Sequence, residues 1–398
     1  FINFAAHMAA SVRKKLLLLT LVHPDYLPPV YAIAQVLRDE GYDIHILTFD
    51  PFGPSQPQLG DHISIESVGK HHGIGLMQRL AIRRTYTARA AALAGSGTSA
   101  IISFCAFTLL CGLKVKGRLP LAYHSLELSD FSWSTLRRSP LSQFNNLLAI
   151  RRIAQAGFIS TASAQRSAWQ VGRSRLHHMP YTILNTVYLP QQEPPAYENE
   201  FKTMMPAEHR GKKVVLYMGS VNAQNCVIEL VKAFGVVNDA NSVKVIAGIK
   251  ENEYGDEVRR IAVATPGCTG RVVFFPFVKG ADKEALQSNA DIGVCLSNEN
   301  QNNAESMMTS PNKVGEYLAK GLYLLASDTE YMRSMGMKGV AALSPSNDVD
   351  GIANALRKAL VAVEMPGSRN TIISFVKEYY CMQQQARPLI QFIKEQGK

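Results

Sequence analysis

The chain has 398 residues, 46% of them hydrophobic and 19% charged, with a formal net charge of +10. That length and apolar content support two domains with full cores and exclude disordered classes. With 28 Gly and 19 Pro, collagen-like and low-complexity sequence is excluded too. Six cysteines, at 105, 111, 226, 268, 295 and 381, form no Cys-x-x-Cys pair. Disulfide scaffolds and zinc ribbons are therefore not expected, and a reducing cytoplasm is the default compartment. The charge is uneven: residues 1–190 hold 19 Lys and Arg against 9 Asp and Glu, whereas residues 191–398 hold 23 of each. The first half is thus expected to face something anionic, such as a lipid headgroup surface, a phosphorylated carrier or nucleic acid.

Phe1 to His7 carry no charged leader and read as an extraneous lead-in ahead of Met8. Apolar strand-length runs then alternate with amphipathic stretches, the pattern of βαβ units and a parallel sheet. Strands are predicted at 16–22, 42–49, 63–68, 100–106, 119–123, 157–160 and 182–184. Between the first two, Val30, Ile33, Ala34 and Leu37 fall on one helical face that ends at Gly41. The longest uncharged run, 90–113, is broken by Gly95-Ser96-Gly97. Its remainder is shorter than the ~18–20 apolar residues of a spanning helix, so any membrane contact is expected from the inner, cytoplasmic face.

The segment 191–211 is polar, proline-containing and aperiodic, and reads as a linker. A second series follows, with strands at 213–218, 243–247, 272–275, 292–296 and 322–326. Helical faces lie at Val227, Leu230, Val231 and Phe234, and at Ile352, Ala355, Leu356 and Ala359. The expected architecture is α/β, two Rossmann-like domains facing each other across a cleft. The first spans 8–190, with a terminal helix at about 373–398 packing back on it, and the second spans 212–372. Ligands of such sheets lie beyond the carboxyl ends of the strands.

The stretch Thr309-Ser310-Pro311-Asn312-Lys313-Val314-Gly315-Glu316-Tyr317-Leu318-Ala319-Lys320-Gly321 reads as a helix leading into a strand, with Ser310 as N-cap and Pro311 at the first helical position. The amides and dipole of such a helix start attract anions, and Lys313 adds a full charge. Glu316, one turn on, could accept hydrogen bonds from two ribose hydroxyls. It could equally form an i, i+4 surface bridge with Lys320.

This run resembles the nucleotide-sugar signature of the GT-B glycosyltransferases, in particular the retaining GT4-like group. Val215-Leu216-Tyr217-Met218-Gly219-Ser220 resembles that family's opening strand and glycine turn, and Ala290-Asp291-Ile292-Gly293-Val294 its strand before the signature. Val36-Leu37-Arg38-Asp39-Glu40-Gly41-Tyr42 looks like its first helix-to-strand passage. The resemblance implies that Glu316 holds the donor ribose, with Asn312, Lys313 and the amides after Ser310 near the diphosphate or donor sugar. It further implies that Gly219 and Ser220 let the backbone approach the phosphates, and that Phe277 and Val278 line the base pocket, though that pair could equally be plain strand-end packing; Lys250, after the 243–247 strand, could help Lys313 supply charge.

Two departures stand out. Many family members carry a carboxylate eight residues before the ribose glutamate, where this chain has Met308, and Glu305 is out of register. Many also carry a basic residue after the glycine turn, where 220–224 are uncharged and Asn225-Cys226 follows.

In the first half, Ala122-Tyr123-His124-Ser125-Leu126-Glu127 resembles a family segment that points a polar side chain into the cleft. His124 or Glu127 could orient the donor sugar or an acceptor hydroxyl; His124 could equally be a strand-end residue satisfied by backbone. Arg79, Arg83, Arg84 and Arg89 lie on one predicted helix near Leu76, Met77 and Leu80, suited to anionic headgroups or readable as a solvated face. Arg137-Arg138, Arg151-Arg152 and the absence of acids from 131 to 192 strengthen that basic field. His71-His72 and His177-His178 lack partners at metal spacing, and no Asp-x-Asp motif is present, so no metal and no cofactor are expected.

The expected function is a retaining, metal-independent glycosyltransferase. It would move a sugar from a UDP- or GDP-linked donor to a glycan or lipid-linked acceptor at an anionic membrane surface, without a specific nucleic-acid partner. The alternatives are a degenerate GT-B subunit that only binds a nucleotide sugar or a partner transferase, and a sugar-nucleotide 2-epimerase.

Overall fold

The computed structural model describes residues 13–24, 27–49, 60–70, 75–126, 139–191, 197–298, 311–334 and 339–396. The chain forms two compact units, Phe1–Ile183 with Ala386–Lys398, and Leu184–Gln385.

The first unit is built on a seven-stranded parallel sheet in the order β3-β2-β1-β4-β5-β6-β7. Its strands are β1 (Lys14–Leu19), β2 (Tyr42–Thr48), β3 (Ile63–Ser67), β4 (Thr98–Ser103), β5 (Leu121–Ser125), β6 (Phe158–Thr161) and β7 (Tyr181–Thr182). Leu16 to Leu19 are all fully buried, as a central strand covered on both faces requires. The helix Pro28–Asp39 buries Val30, Ile33, Ala34 and Leu37, the face its spacing predicts. From the helix Leu76–Gly95, Tyr86 stacks on Phe49 with ring centroids 4.4 Å apart. Its hydroxyl donates to the carbonyl of Leu47 at 2.9 Å. The last helix, Arg387–Gln396, belongs to this unit: Phe392 lies 5.5 Å from the Phe158 ring, and Lys394 pairs with Glu40 at 2.6 Å.

The second unit carries a six-stranded parallel sheet in the order β10-β9-β8-β11-β12-β13. These strands are β8 (Lys213–Met218), β9 (Ser242–Ala247), β10 (Val272–Phe275), β11 (Ile292–Cys295), β12 (Tyr323–Ser327) and β13 (Ala341–Ser344). β13 goes unpredicted because Ala341 and Ala342 have weak strand preference, and tertiary pairing with β12 decides it. The segment 191–211, read from sequence as aperiodic, contains the helix Glu198–Met204. In each sheet the strand order reverses once, between β1 and β4 and between β8 and β11, and these are the places where open α/β sheets bind ligands.

Candidate functional site

The second unit's switch point is built around the end of β8. The Met218 amide donates to the hydroxyl oxygen of Tyr317 at 2.9 Å. Tyr317 reaches that far in because Gly293 on β11 has no side chain: a Cβ there would lie 2.4 Å from the tyrosine ring. Asp291 ties the start of β11 to β8 by accepting the Val214 amide at 2.8 Å, and burial raises its pKa. The turn that follows is fixed by two donors to the Ser220 carbonyl, the Tyr217 hydroxyl at 2.6 Å and the Asn225 amide at 2.8 Å. Gly219 adopts φ +142°, a backbone that side-chain-bearing residues avoid.

Against this turn lies the first turn of the helix Asn312–Ala319. Pro311 is its N-cap and not its first residue, a correction to the sequence reading. Its ψ of 128° is extended, and its carbonyl accepts the Val314 amide at 3.1 Å, so regular helix begins at Asn312. Ser310, predicted as the cap, lies outside the described residues. Lys313 lays its ammonium 4.8 Å from the centre of the Tyr217 ring and 3.4 Å from where a Cβ on Gly219 would stand. The helix start thus presents a cation, and amides with no intrahelical acceptor, beside a glycine turn.

Glu316 does not bridge to Lys320. Its Oε1 takes a hydrogen bond from Lys283 Nζ at 2.8 Å and its Oε2 one from Gln287 Nε2 at 3.0 Å, both from the helix Ala281–Ser288. Lys320 pairs with Glu284 of that helix at 2.6 Å. The Glu316 side chain remains 18% exposed and lines a cavity of about 760 Å³ together with Lys283, Gln287, Lys320 and Arg369. Lys283 and Gln287 escape sequence reading because Asp282-Lys283-Glu284 resembles an ordinary solvated charge run.

Asn312, Ser220 and Lys250 are exposed, the last in the loop after β9. Val278 is half-buried and packs on the second unit's core, while Phe277 is 80% exposed. A glycine that the sequence reading missed, Gly248, sits at φ +105° after β9, and a Cβ there would lie 2.1 Å from the Gly219 carbonyl oxygen. At these two glycines the loops after β8 and β9 approach each other backbone to backbone.

His124, on β5, is 1% exposed. Its Nδ1 pairs with the Ser160 hydroxyl at 3.0 Å, a side chain and not the expected backbone group. Its ring meets Phe104 edge-on at 6.1 Å, and its Nε2 has no hydrogen-bond partner among the described residues. Burial, helped by the Arg166 charge, pushes its pKa down to about 3, so the imidazole is neutral near pH 7. Glu127 lies outside the described residues, as do Glu305, Met308, His71, His72, Arg137 and Arg138.

Of the arginines on the helix Leu76–Gly95, Arg84 and Arg89 are exposed and Arg79 and Arg83 half-buried. Arg83 lies over the Phe107 ring at 4.6 Å, and Arg89 makes a two-pronged pair with Glu66 at 2.5 and 2.9 Å. Arg84, with Arg151 and Arg152 further along, is exposed. Among the described residues no helix is long and apolar enough to cross a membrane, and no three of His, Cys, Asp and Glu gather as a metal site.

No curated protein matches the chain by sequence. Solved structures do match in fold. Sucrose-phosphate synthase from Thermosynechococcus elongatus is 16% identical with a TM-score of 0.68, covering 96% of this chain and 99% of that one. Anabaena HepE in complex with UDP and glucose is also 16% identical at a TM-score of 0.68, covering 96% and 100%. A glycosyltransferase from Rickettsia africae is 10% identical at 0.68, covering 97% and 99%. The fold is accordingly the GT-B architecture of two Rossmann-like domains. Residues 212–361, which include Gly219, Lys283, Gln287, Lys313 and Glu316, match the family model of glycosyl transferases group 1.

Proposed function

We propose that the protein is a nucleotide-sugar glycosyltransferase, taking a sugar from a UDP- or GDP-linked donor to a glycan or lipid-linked acceptor. One observation carries the reading. The Lys313 ammonium lies against the Gly219 turn at the end of β8, and Glu316 projects from the same helix one turn on. A nucleoside diphosphate carries two phosphates and a ribose diol, and this arrangement offers a cation and open amides for the first, a carboxylate for the second. Asn312, Ser220 and Lys250 flank the donor in this proposal, with Val278 towards the base.

The chemistry asked of these groups is positioning and charge stabilisation. Lys313 and the helix-start amides would bear the charge that builds on the departing diphosphate, and no covalent cofactor is required. Retention of configuration and independence of metal come from the family resemblance. The match over 212–361, and a structural neighbour whose complex contains UDP and glucose, support the donor class. His124 enters as a residue that shapes the first unit's β5 from within, since its burial leaves it no open face among the described residues. The exposed arginines of the first unit support an anionic membrane surface as the place of work.

The test is release of UDP or GDP from a panel of sugar nucleotides by the wild-type chain and by Glu316→Ala. We expect nucleotide release from one donor with wild type and none above background with the variant, its circular dichroism unchanged. A variant as active as wild type overturns the ribose assignment. Stabilisation by a nucleotide without any release would instead mark a binding subunit.

A further inference from the structure

We propose that Lys283 is a positioning residue for Glu316, holding its carboxylate in the one orientation that receives a ribose diol. The proposal rests on the donor reading above and assigns a role to a residue that no motif marks.

The geometry is a lock on both oxygens. An ionised carboxylate has about four lone-pair sites, two on each oxygen. Lys283 occupies one site on Oε1 and Gln287 one on Oε2. By that count one acceptor site remains on each oxygen, and the side chain, 18% exposed, borders the cavity it shares with Lys320 and Arg369, which Gly219 and Lys313 do not line. Two acceptors about 2.2 Å apart on a rigid plane suit the two hydroxyls of a vicinal diol. A glutamate without such donors would spread over several rotamers, and binding would have to restrict it. Gln287 is itself only 2% exposed, so the lock is anchored in packed structure. Lys283 also offsets a negative charge that would otherwise face an anionic ligand.

A purely structural role makes a different prediction, because the two helices are joined twice. Lys283 and Glu284, consecutive on the helix Ala281–Ser288, pair with Glu316 and Lys320, one turn apart on the helix Asn312–Ala319. If the bridges only dock one helix on the other, removing either should have the same consequence. If Lys283 aligns Glu316, only its loss should change how the site distinguishes sugars. A fixed carboxylate penalises a missing hydroxyl heavily, whereas a mobile one turns to make the best of a single bond.

The experiment measures affinity of the full chain for UDP and dUDP, and for GDP and dGDP, by calorimetry. It compares wild type, Glu316→Gln, Lys283→Met, Lys283→Arg and Glu284→Gln. Wild type should prefer one ribonucleotide over its deoxy form by about tenfold or more, the scale of one hydrogen bond to a charged group. Lys283→Met should weaken the ribonucleotide by about tenfold and bring that preference close to one. Lys283→Arg should restore most of the preference, and Glu284→Gln should leave it intact. An unchanged preference in Lys283→Met, or an equal loss in Glu284→Gln, overturns the positioning role while the donor reading stands. Tighter binding by Lys283→Met also overturns it, by showing that Lys283 blocks the site. Absence of binding to all four nucleotides by wild type removes the donor reading, and this inference with it.

Discussion

A Cβ on Gly248 would lie 2.1 Å from the carbonyl oxygen of Gly219. The obstacle is backbone, so no side chain can swing aside, and the φ of +105° is itself unfavourable for alanine. Gly248→Ala should cost about 2–4 kcal/mol from strain and overpacking combined. It should also weaken nucleotide binding, because relief of the clash moves the Gly219 turn away from Lys313. Thermal melting with and without UDP or GDP measures both effects. A variant with wild-type melting temperature and wild-type ligand stabilisation would show that the loops after β8 and β9 are not locked together.

Lys313→Met keeps the aliphatic stem against Tyr217 and removes only the charge. Affinity for UDP or GDP should fall by roughly ten- to a hundredfold, the weight of one charge-assisted contact to phosphate. Affinity for the bare nucleoside should not change. The salt dependence of diphosphate binding should become shallower in the variant. Equal losses for nucleoside and diphosphate would place Lys313 away from the phosphates.

Much of the second unit is legible in its sequence, for physical reasons that differ by element. β8 is predicted at its true bounds because Val214 to Tyr217 form an unbroken apolar run closed by Gly219-Ser220. The place of Lys313 and Glu316 in the first turns of a helix is legible because a helix start is specified locally, by residues close together along the chain. The partners of Glu316 are not, since Lys283 and Gln287 come from a separate helix and only tertiary packing brings them there. The same cause hides the fate of the arginines: nothing near Arg89 in sequence announces Glu66, which β3 delivers. His124 illustrates the third limit. Its strand position is readable, but whether its side chain meets solvent or Ser160 depends on the neighbouring strand β6.

If the first unit works at an anionic surface, as proposed, the split among those arginines decides which of them bind it. Arg84, Arg151 and Arg152 are exposed, and each charge near a membrane contributes about 1 kcal/mol. Replacing the three with Gln should lower binding to phosphatidylglycerol vesicles by roughly a hundredfold at low salt, with phosphatidylcholine vesicles bound by neither protein. Arg89→Gln should leave vesicle binding nearly unchanged, because its guanidinium is engaged by Glu66. Co-sedimentation decides this, and equal binding by wild type and the triple variant rules out the surface.

Lys244 gives a prediction that depends on pH and on no ligand. It lies on β9, fully buried, between Val215 and Val272 of the flanking strands. Its Nζ has no hydrogen-bond partner among the described residues. Burial, opposed only by the nearby Cys268, drives its pKa well below the ordinary lysine value and favours the neutral amine in the folded protein. The unfolded chain takes up a proton there at any pH below about 10.4. Between the depressed folded value and that unfolded value the unfolded state binds more protons, so stability contributed by this group rises with pH and is lost as pH falls. The slope for one proton is at most about 1.4 kcal/mol per pH unit. Lys244→Met, which fills a similar space without an ionisable group, should therefore stabilise the second unit at pH 7, and its advantage should shrink steadily towards pH 10. Urea denaturation of both proteins across that range measures the difference. Parallel stability curves would mean that the amine finds a compensating partner in the fold, and that its burial carries no proton-linked cost.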